Sequence, residues 1–284
     1  MLENGVRTRV SGPIALLTDF GLDDAYVGVM KGVILSINPQ AVVVDLCHQV
    51  APQDVAAGAF LLATSYRYFP PTTIFVAVVD PGVGSARRAI ALRTPHGTFV
   101  GPDNGLFGLV LADFGISAGA GTDRAILSGS EVAGVVLANP HYFQPRVSST
   151  FHGRDIFAPV AAHLSLGVPL SALGPVLTDV VVMAPLRPYR RGQDLVGHVV
   201  YIDHFGNAIT DVTAQDLEGA DHLEIVVAGH YIRGLSRCYA ERAGLLALIG
   251  SSDRLEIAVA GGSAAHLLGL HPGDEVIVRT GERA

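Results

Sequence analysis

Short apolar runs alternate with stretches of helical spacing through the first 180 or so residues of this chain. Ile14-Ala15-Leu16-Leu17-Thr18 leads into Asp19, and Thr73 to Val79 leads into Asp80. Neither run shows the polar alternation of a half-exposed strand, so both read as strands buried on two faces. Ala41 to Leu46, with its β-branched residues, reads as a third. A helix is expected over 25–37, with Asp23 and Asp24 as its N-cap chemistry and Asn38-Pro39 as its stop. Pro52 opens a second helix, ended by Phe69-Pro70-Pro71. Further helices are expected over 106–111, behind Asn104 as an N-cap, and over 158–166. The pattern predicts the α/β fold class: an N-terminal domain with a mainly parallel sheet covered on both faces. Ligands of such sheets sit beyond the carboxyl ends of the strands, where Asp19 and Asp80 stand.

After Leu186 the pattern changes. The Pro/Arg-rich stretch through Arg187-Pro188-Tyr189-Arg190-Arg191 reads as a solvated linker. Short β-type runs follow at 196–202, 223–227, 245–249, 255–259 and 275–278, separated by turn residues, with only a brief helical pattern at Ser263-Ala264-Ala265. The expected organisation is therefore an N-terminal domain over 12–186, a linker over 187–194, and a smaller all-β, barrel-like domain over 195–284.

Composition narrows the function. Hydrophobic residues make up 49% and charged residues 16%, enough for a sizeable core and a buried subunit interface. A net charge of −7 without a basic stripe excludes a general nucleic-acid binder. No apolar run approaches the ~18 residues of a membrane span. Met1 to Ser11 hold no apolar signal-peptide core, and Cys47 and Cys238 form neither a disulfide framework nor CxxC spacing, so a reducing cytoplasm is expected.

Several constellations could carry chemistry. In Thr18-Asp19-Phe20-Gly21, Asp19 either caps the next helix or accepts two hydroxyl hydrogen bonds, as the vicinal hydroxyls of a ribose would require. In Asp80-Pro81-Gly82-Val83-Gly84-Ser85-Ala86-Arg87, the glycines permit a turn whose N–H groups form an anion-favouring nest. Arg87 can fold back on Asp80 there, or the two form a surface ion pair. His152, in Thr150-Phe151-His152-Gly153-Arg154-Asp155, is either a core histidine or a base, while Arg154 and Asp155 pair with each other or cap the following helix. Asp203-His204-Phe205-Gly206-Asn207 offers a carboxylate for an ammonium group and an amide for a purine edge, or is a hairpin turn. The segments 250–253 and 259–263 are turns or backbone donors around a ligand. Eleven histidines notwithstanding, HxH and HExxH spacings are absent, as are GxGxxG and P-loop motifs, so no metal and no dinucleotide cofactor is expected.

Taken together, these segments resemble the S-adenosylmethionine hydroxide adenosyltransferase family, whose relatives include the fluorinase and chlorinase. The resemblance runs from about Ile14 to Val278 and includes Val44-Asp45-Leu46-Cys47-His48, Gly101-Pro102-Asp103-Asn104-Gly105 and the motifs above. It implies an α/β domain followed by a β-barrel-like domain, a homotrimer with sites at subunit interfaces, and cleavage of S-adenosylmethionine to adenosine and L-methionine. Asp80, Arg87 and His152 would then handle the attacking water and Asp19 the ribose hydroxyls. Asp203 would meet the methionine amino group, Asn207 the adenine edge, Ser251 the methionine carboxylate, and the backbone of Val259 and Gly261 adenine. Cofactors are not implied, since S-adenosylmethionine is the substrate. The fluorinating relatives carry tyrosine where Asp80 stands, threonine at Val83 and Tyr-Ser at His152-Gly153, which favours hydroxide here. A halide-using enzyme and a non-catalytic adenosine or S-adenosylmethionine sensor are the alternatives. Many relatives show Asn-Ser near 250 and 251, whereas this chain has Gly250.

Overall fold

The computed structural model describes residues 12–119, 121–127, 131–183, 186–220 and 222–280. It divides into two compact units, with the boundary at Ala184/Pro185. Among the described residues no helix is long and apolar enough to cross a membrane.

The first unit is a mixed α/β domain. Its strands are β1 (Ile14–Thr18), β2 (Val43–Cys47), β3 (Ile74–Val78), β4 (Ala89–Thr94), β5 (Gly97–Pro102), β6 (Arg124–Ile126), β7 (Ala133–Val136) and β8 (Asp179–Val181). Six of them form one sheet in the order β2-β1-β3-β5-β4-β7, while β6 and β8 pair separately. The β1–β2, β1–β3 and β3–β5 pairings are parallel. The β4 pairings with β5 and β7 are antiparallel. Only Pro95 and His96 separate β4 from β5, too short a link for a parallel crossover.

Every residue of β1 and β3 is buried, because the sheet is covered on both faces. Ile14, Leu16, Ile74, Val76 and Val78 share one core with Met30 and Ile34 of α1 (Tyr26–Ile37) and Val160 of α4 (Ala158–Ser165). On the opposite face, Phe75 stacks on Phe99 at 4.9 Å between centroids, and Tyr66 packs edge-on against both. Leu62 of α2 (Val55–Ser65) and Leu111 of α3 (Gly108–Ala112) are also fully buried. The period-2 alternation of strand side chains thus feeds two cores at once. Helix α1 lacks the expected aspartate cap: Ala25 occupies the N-cap and no side chain bonds there. Asp54, not Pro52, begins α2 by accepting from the Ala57 amide at 2.9 Å.

The second unit contains β9 (Tyr189–Arg191), β10 (Asp194–Ile202), β11 (Ala208–Thr213), β12 (Leu223–Val227), β13 (His230–Arg233), β14 (Leu245–Ile249), β15 (Arg254–Val259), β16 (Glu275–Thr280) and the short helix α5 (Ala264–Leu268). The strands run antiparallel in the order β13-β12-β16-β10-β11-β15-β14, with β9 beside β10. Ser236, just after β13, bridges to Leu248 of β14 at the far end of that path, so the sheet is nearly closed and barrel-like. Val199, Ala208, Val212, Ile225, Ile257, Val276 and Val278 fill its interior. The Tyr-Arg-Arg stretch expected within a linker is instead β9, its three residues exposed and held by backbone pairing to β10.

Candidate active site

The C-terminal end of β3 runs through Val79 into the turn at 80–87. The Asn104 amide donates to the Val79 carbonyl at 2.8 Å and so pins that turn to the start of the next segment; Phe107 takes the N-cap position expected for Asn104. Two of the turn's amides bond within it, Val83 N to Asp80 O (3.2 Å) and Ser85 N to Gly82 O (3.1 Å). Gly84 has φ +77°, and a Cβ there would collide with the Ser149 carbonyl. The turn thereby lies directly on the backbone that carries His152. Gly84→Ala is expected to cost about 1–3 kcal/mol through the left-handed backbone alone. It should also displace the His152 segment, so Tm and kcat should fall together.

Two successive arginines leave this turn in different directions. Arg88 donates to Asp103 Oδ2 at 2.7 Å and to the Asp179 carbonyl at 2.8 Å, anchoring the strand start. Arg87 folds back, its Nε 2.9 and 3.0 Å from the two Asp80 oxygens, with Nη2 also bonded to Asp80. The side chains of Asp80 and Arg87 are 5% and 10% exposed, which rules out a solvated surface pair. Arg87 lies over the Phe157 ring at 5.4 Å and donates through Nη2 to His152 Nδ1 at 2.7 Å. Sequence positions 80, 87 and 152 are thus joined in one chain from carboxylate through guanidinium to imidazole.

The hydrogen bonding fixes the imidazole's chemistry. A guanidinium only donates, so His152 Nδ1 must accept; the ring is neutral and its proton resides on Nε2. Burial lowers the His152 pKa below its ordinary 6.5, and the Arg87 charge lowers it further, against weaker opposing pulls from Asp80 and Asp155. His152 therefore presents an N–H donor, and its lone pair is already engaged by Arg87.

A π-helical turn at Gly153–Phe157 follows His152, a distortion frequent at functional sites. Its Asp155 is 1% exposed and accepts from Arg154 Nε at 2.6 Å and from the Ser148 amide at 2.8 Å. Burial works against the charge of Asp155, but Arg154 and the Ser148 bond outweigh it and hold the pKa below the usual value. Asp155 thus ties down the loop that carries His152. A Cβ on Gly153 would meet Met30, Phe151 and Phe20 at 3.2–3.3 Å, which accounts for glycine at that position.

Asp19 lies at the C-terminal end of β1 and does not cap α1. Its Oδ2 accepts from the Gln53 amide at 2.8 Å, and Gln53 has φ +67°. Behind it, Thr18 Oγ1 contacts His48 Nδ1 at 2.9 Å and His48 Nε2 contacts Asp45 at 3.0 Å. Lys31 donates to Asp45 at 2.7 Å.

In the second unit, Asp203 and Asn207 form the turn between β10 and β11. Asp203 Oδ1 accepts from the Phe205 and Asn207 amides at 2.9 and 2.8 Å, and Asn207 Nδ2 donates to Asp203 Oδ2 at 2.9 Å. The hairpin-turn reading therefore holds for these residues. Ser251 stands exposed in the β14–β15 turn. The Val259 carbonyl accepts from Gly262 N at 3.0 Å, and Gly261 has φ +71°.

Sequence reasoning missed two residues of this unit, Tyr239 and the 4%-exposed Glu256. An acid at the middle of an apolar strand, Leu255-Glu256-Ile257, was the available signal. Gly115-Ile116-Ser117-Ala118-Gly119 spells GxSxG, but it follows α3 in irregular chain and not a strand-to-helix elbow. Among the described residues no group of three or more His, Cys, Asp or Glu is placed to hold a metal ion.

Residues 14–174 match the SAM hydroxide adenosyltransferase N-terminal domain, and residues 197–277 match the C-terminal domain. The chain belongs to this family. It is 40% identical over 272 residues to the (R)-S-adenosyl-L-methionine hydrolase of Salinispora arenicola, covering 94% of this chain and 98% of that protein. It is 40% identical over 264 residues to the enzyme of that name from Thermus thermophilus, with 92% and 97% covered. A fluorinase from Nocardia brasiliensis is 31% identical over 232 residues, 72% of each chain. The crystal structure of an uncharacterized conserved protein from Thermotoga maritima is similar with a TM-score of 0.83, at 34% identity, covering 94% of this chain and 99% of that one.

Proposed function

We propose that this chain is an S-adenosyl-L-methionine hydrolase that forms adenosine and L-methionine by attack of water or hydroxide on C5′. The observation that carries this reading is the buried Asp80–Arg87–His152 chain, supported by relatives named for the hydrolysis of (R)-S-adenosyl-L-methionine across nearly their whole length. The difficult step is to hold a hydroxide-like nucleophile, because free water has a pKa of about 15.7. Arg87 and the Nε2–H of His152 supply donors that hold the water and favour its hydroxide form, and Asp80 fixes the guanidinium. The water oxygen bonds to C5′ as the C5′–S bond breaks; the bond pair leaves with sulfur as a neutral thioether, and the water proton passes to solvent. Because the sulfonium is its own leaving group, the reaction requires neither a metal nor a separate cofactor. Asp80 favours water over halide, since a buried carboxylate repels an incoming anion.

Asp19 binds the ribose hydroxyls in this reading. Asp203 meets the methionine ammonium, Asn207 the adenine edge, Ser251 the methionine carboxylate, and the backbone of Val259 and Gly261 adenine. The protein works as a homotrimer with sites at subunit interfaces; the exposed apolar side chains Leu22, Tyr26, Val29, Leu35 and Val42 support a subunit interface. Its place is the cytoplasm, in keeping with free Cys47 and Cys238. Chromatography of the reaction in ¹⁸O-water tests the whole reading. Adenosine labelled at the 5′ oxygen is expected, with no 5′-chloroadenosine when chloride is added. Unlabelled adenosine, or binding without turnover, would overturn it.

A further inference from the structure

Glu256 lies on the face of the β14–β15 hairpin that also carries Leu246, Leu248 and Ala258, all buried. On this apolar face its carboxyl meets Tyr239 and Gly250. The Tyr239 hydroxyl donates to Glu256 Oε1 at 2.6 Å. Oε2 occupies the space above Gly250, where a Cβ would collide with it. The Tyr239 hydroxyl is thus tied down while the residue remains 45% exposed. Burial raises the pKa of Glu256, the Tyr239 hydroxyl pulls it down, and the nearby Asp203 charge pushes it up again. Burial and the glutamate bond likewise push Tyr239 well up. Burial thus shifts both groups toward their protonated forms.

We infer that Glu256 is a positioning residue for substrate binding: through its bond to Tyr239 it fixes an aromatic wall next to Asp203, and Gly250 is the space that lets it do so. The inference rests on the reading that Asp203 and Ser251 contact the substrate. A side chain at 250 forces the carboxyl aside without removing it, so the site offers two independent ways to release the same tyrosine.

The test is steady-state kinetics of the full chain with S-adenosyl-L-methionine, together with Tm. Glu256→Ala and Gly250→Ala are expected to raise KM about tenfold, the equivalent of one lost hydrogen bond, with kcat within about twofold of the parent. Glu256→Gln, whose amide oxygen still accepts from the phenol, should restore KM. Tyr239→Phe repeats the KM effect should Glu256→Ala fail to fold. An unchanged KM in Tyr239→Phe or Gly250→Ala overturns the inference, as does a Glu256→Gln no better than Glu256→Ala. A KM loss that merely follows Tm through the series overturns it too. Calorimetric titration with S-adenosyl-L-methionine separates this inference from the reading it rests on. A parent protein that binds S-adenosyl-L-methionine without turnover sinks the proposed reaction, while the same variants still report on Glu256 through Kd.

Discussion

Replacing Arg87 by methionine is expected to lower kcat by about 10²–10³-fold, the typical effect of removing one preorganised donor from a developing anion. It should also lower stability by about 3–5 kcal/mol, because it strands the Asp80 carboxylate, only 5% exposed, without its counter-charge. Both effects follow from one residue that bonds the acid and the imidazole together. The two can be separated. Adding Asp80→Asn to Arg87→Met removes the stranded charge and should recover most of the lost stability, leaving turnover low. Denaturant unfolding and an adenosine-release assay on the three variants check this. Recovery of turnover along with stability would show that Arg87 serves the fold alone.

His152→Ala is expected to lower kcat by about 10²-fold while KM changes little, since the proposed reaction sets the imidazole against the nucleophile and not the substrate's binding groups. The pH profile gives a sharper check. In the proposed reaction the active form is the neutral ring, with Nδ1 accepting from Arg87 and the proton on Nε2. Protonation would set an N–H against the guanidinium and break the chain. Because burial and Arg87 lower the pKa from 6.5, activity should hold through neutrality and fall only below that value. The residual activity of His152→Ala should lack this acid limb. Linkage gives stability the same direction. The folded state binds the proton less well than the unfolded chain, so stability is lost as pH drops below about 6.5 and levels off below the folded pKa.

The split between what was readable and what was not falls along physical lines. Strands buried on both faces announced themselves as uninterrupted apolar runs, so β1, β3 and the ends at Asp19 and Asp80 were legible. The β4–β5 hairpin and β11 were not. Their residues, such as Arg93, Thr94, Thr210 and Asp211, mix polar and apolar types in no single period, and pairing of β4 with β7 and of β11 with β15, far along the chain, completes their structure. Residues 189–191 looked like a linker because a three-residue exposed strand carries no hydrophobic signal; only its pairing with β10 makes it one.

The amino-acid sequence by itself determined the α/β-then-β order of the chain, the family, and the identities of the carboxylate, guanidinium and imidazole at 80, 87 and 152. Local patterning and residue chemistry suffice for those. The tertiary structure alone decided what these groups are to one another. The close approach of Gly84 to Ser149 brings the 80–87 turn onto the His152 segment, and the 2.7 Å bond from Arg87 makes the histidine a donor. It likewise decided that Glu256 holds Tyr239 in the space left by Gly250. Protonation state and direction depend on neighbours distant in sequence, and only folding sets which neighbours those are.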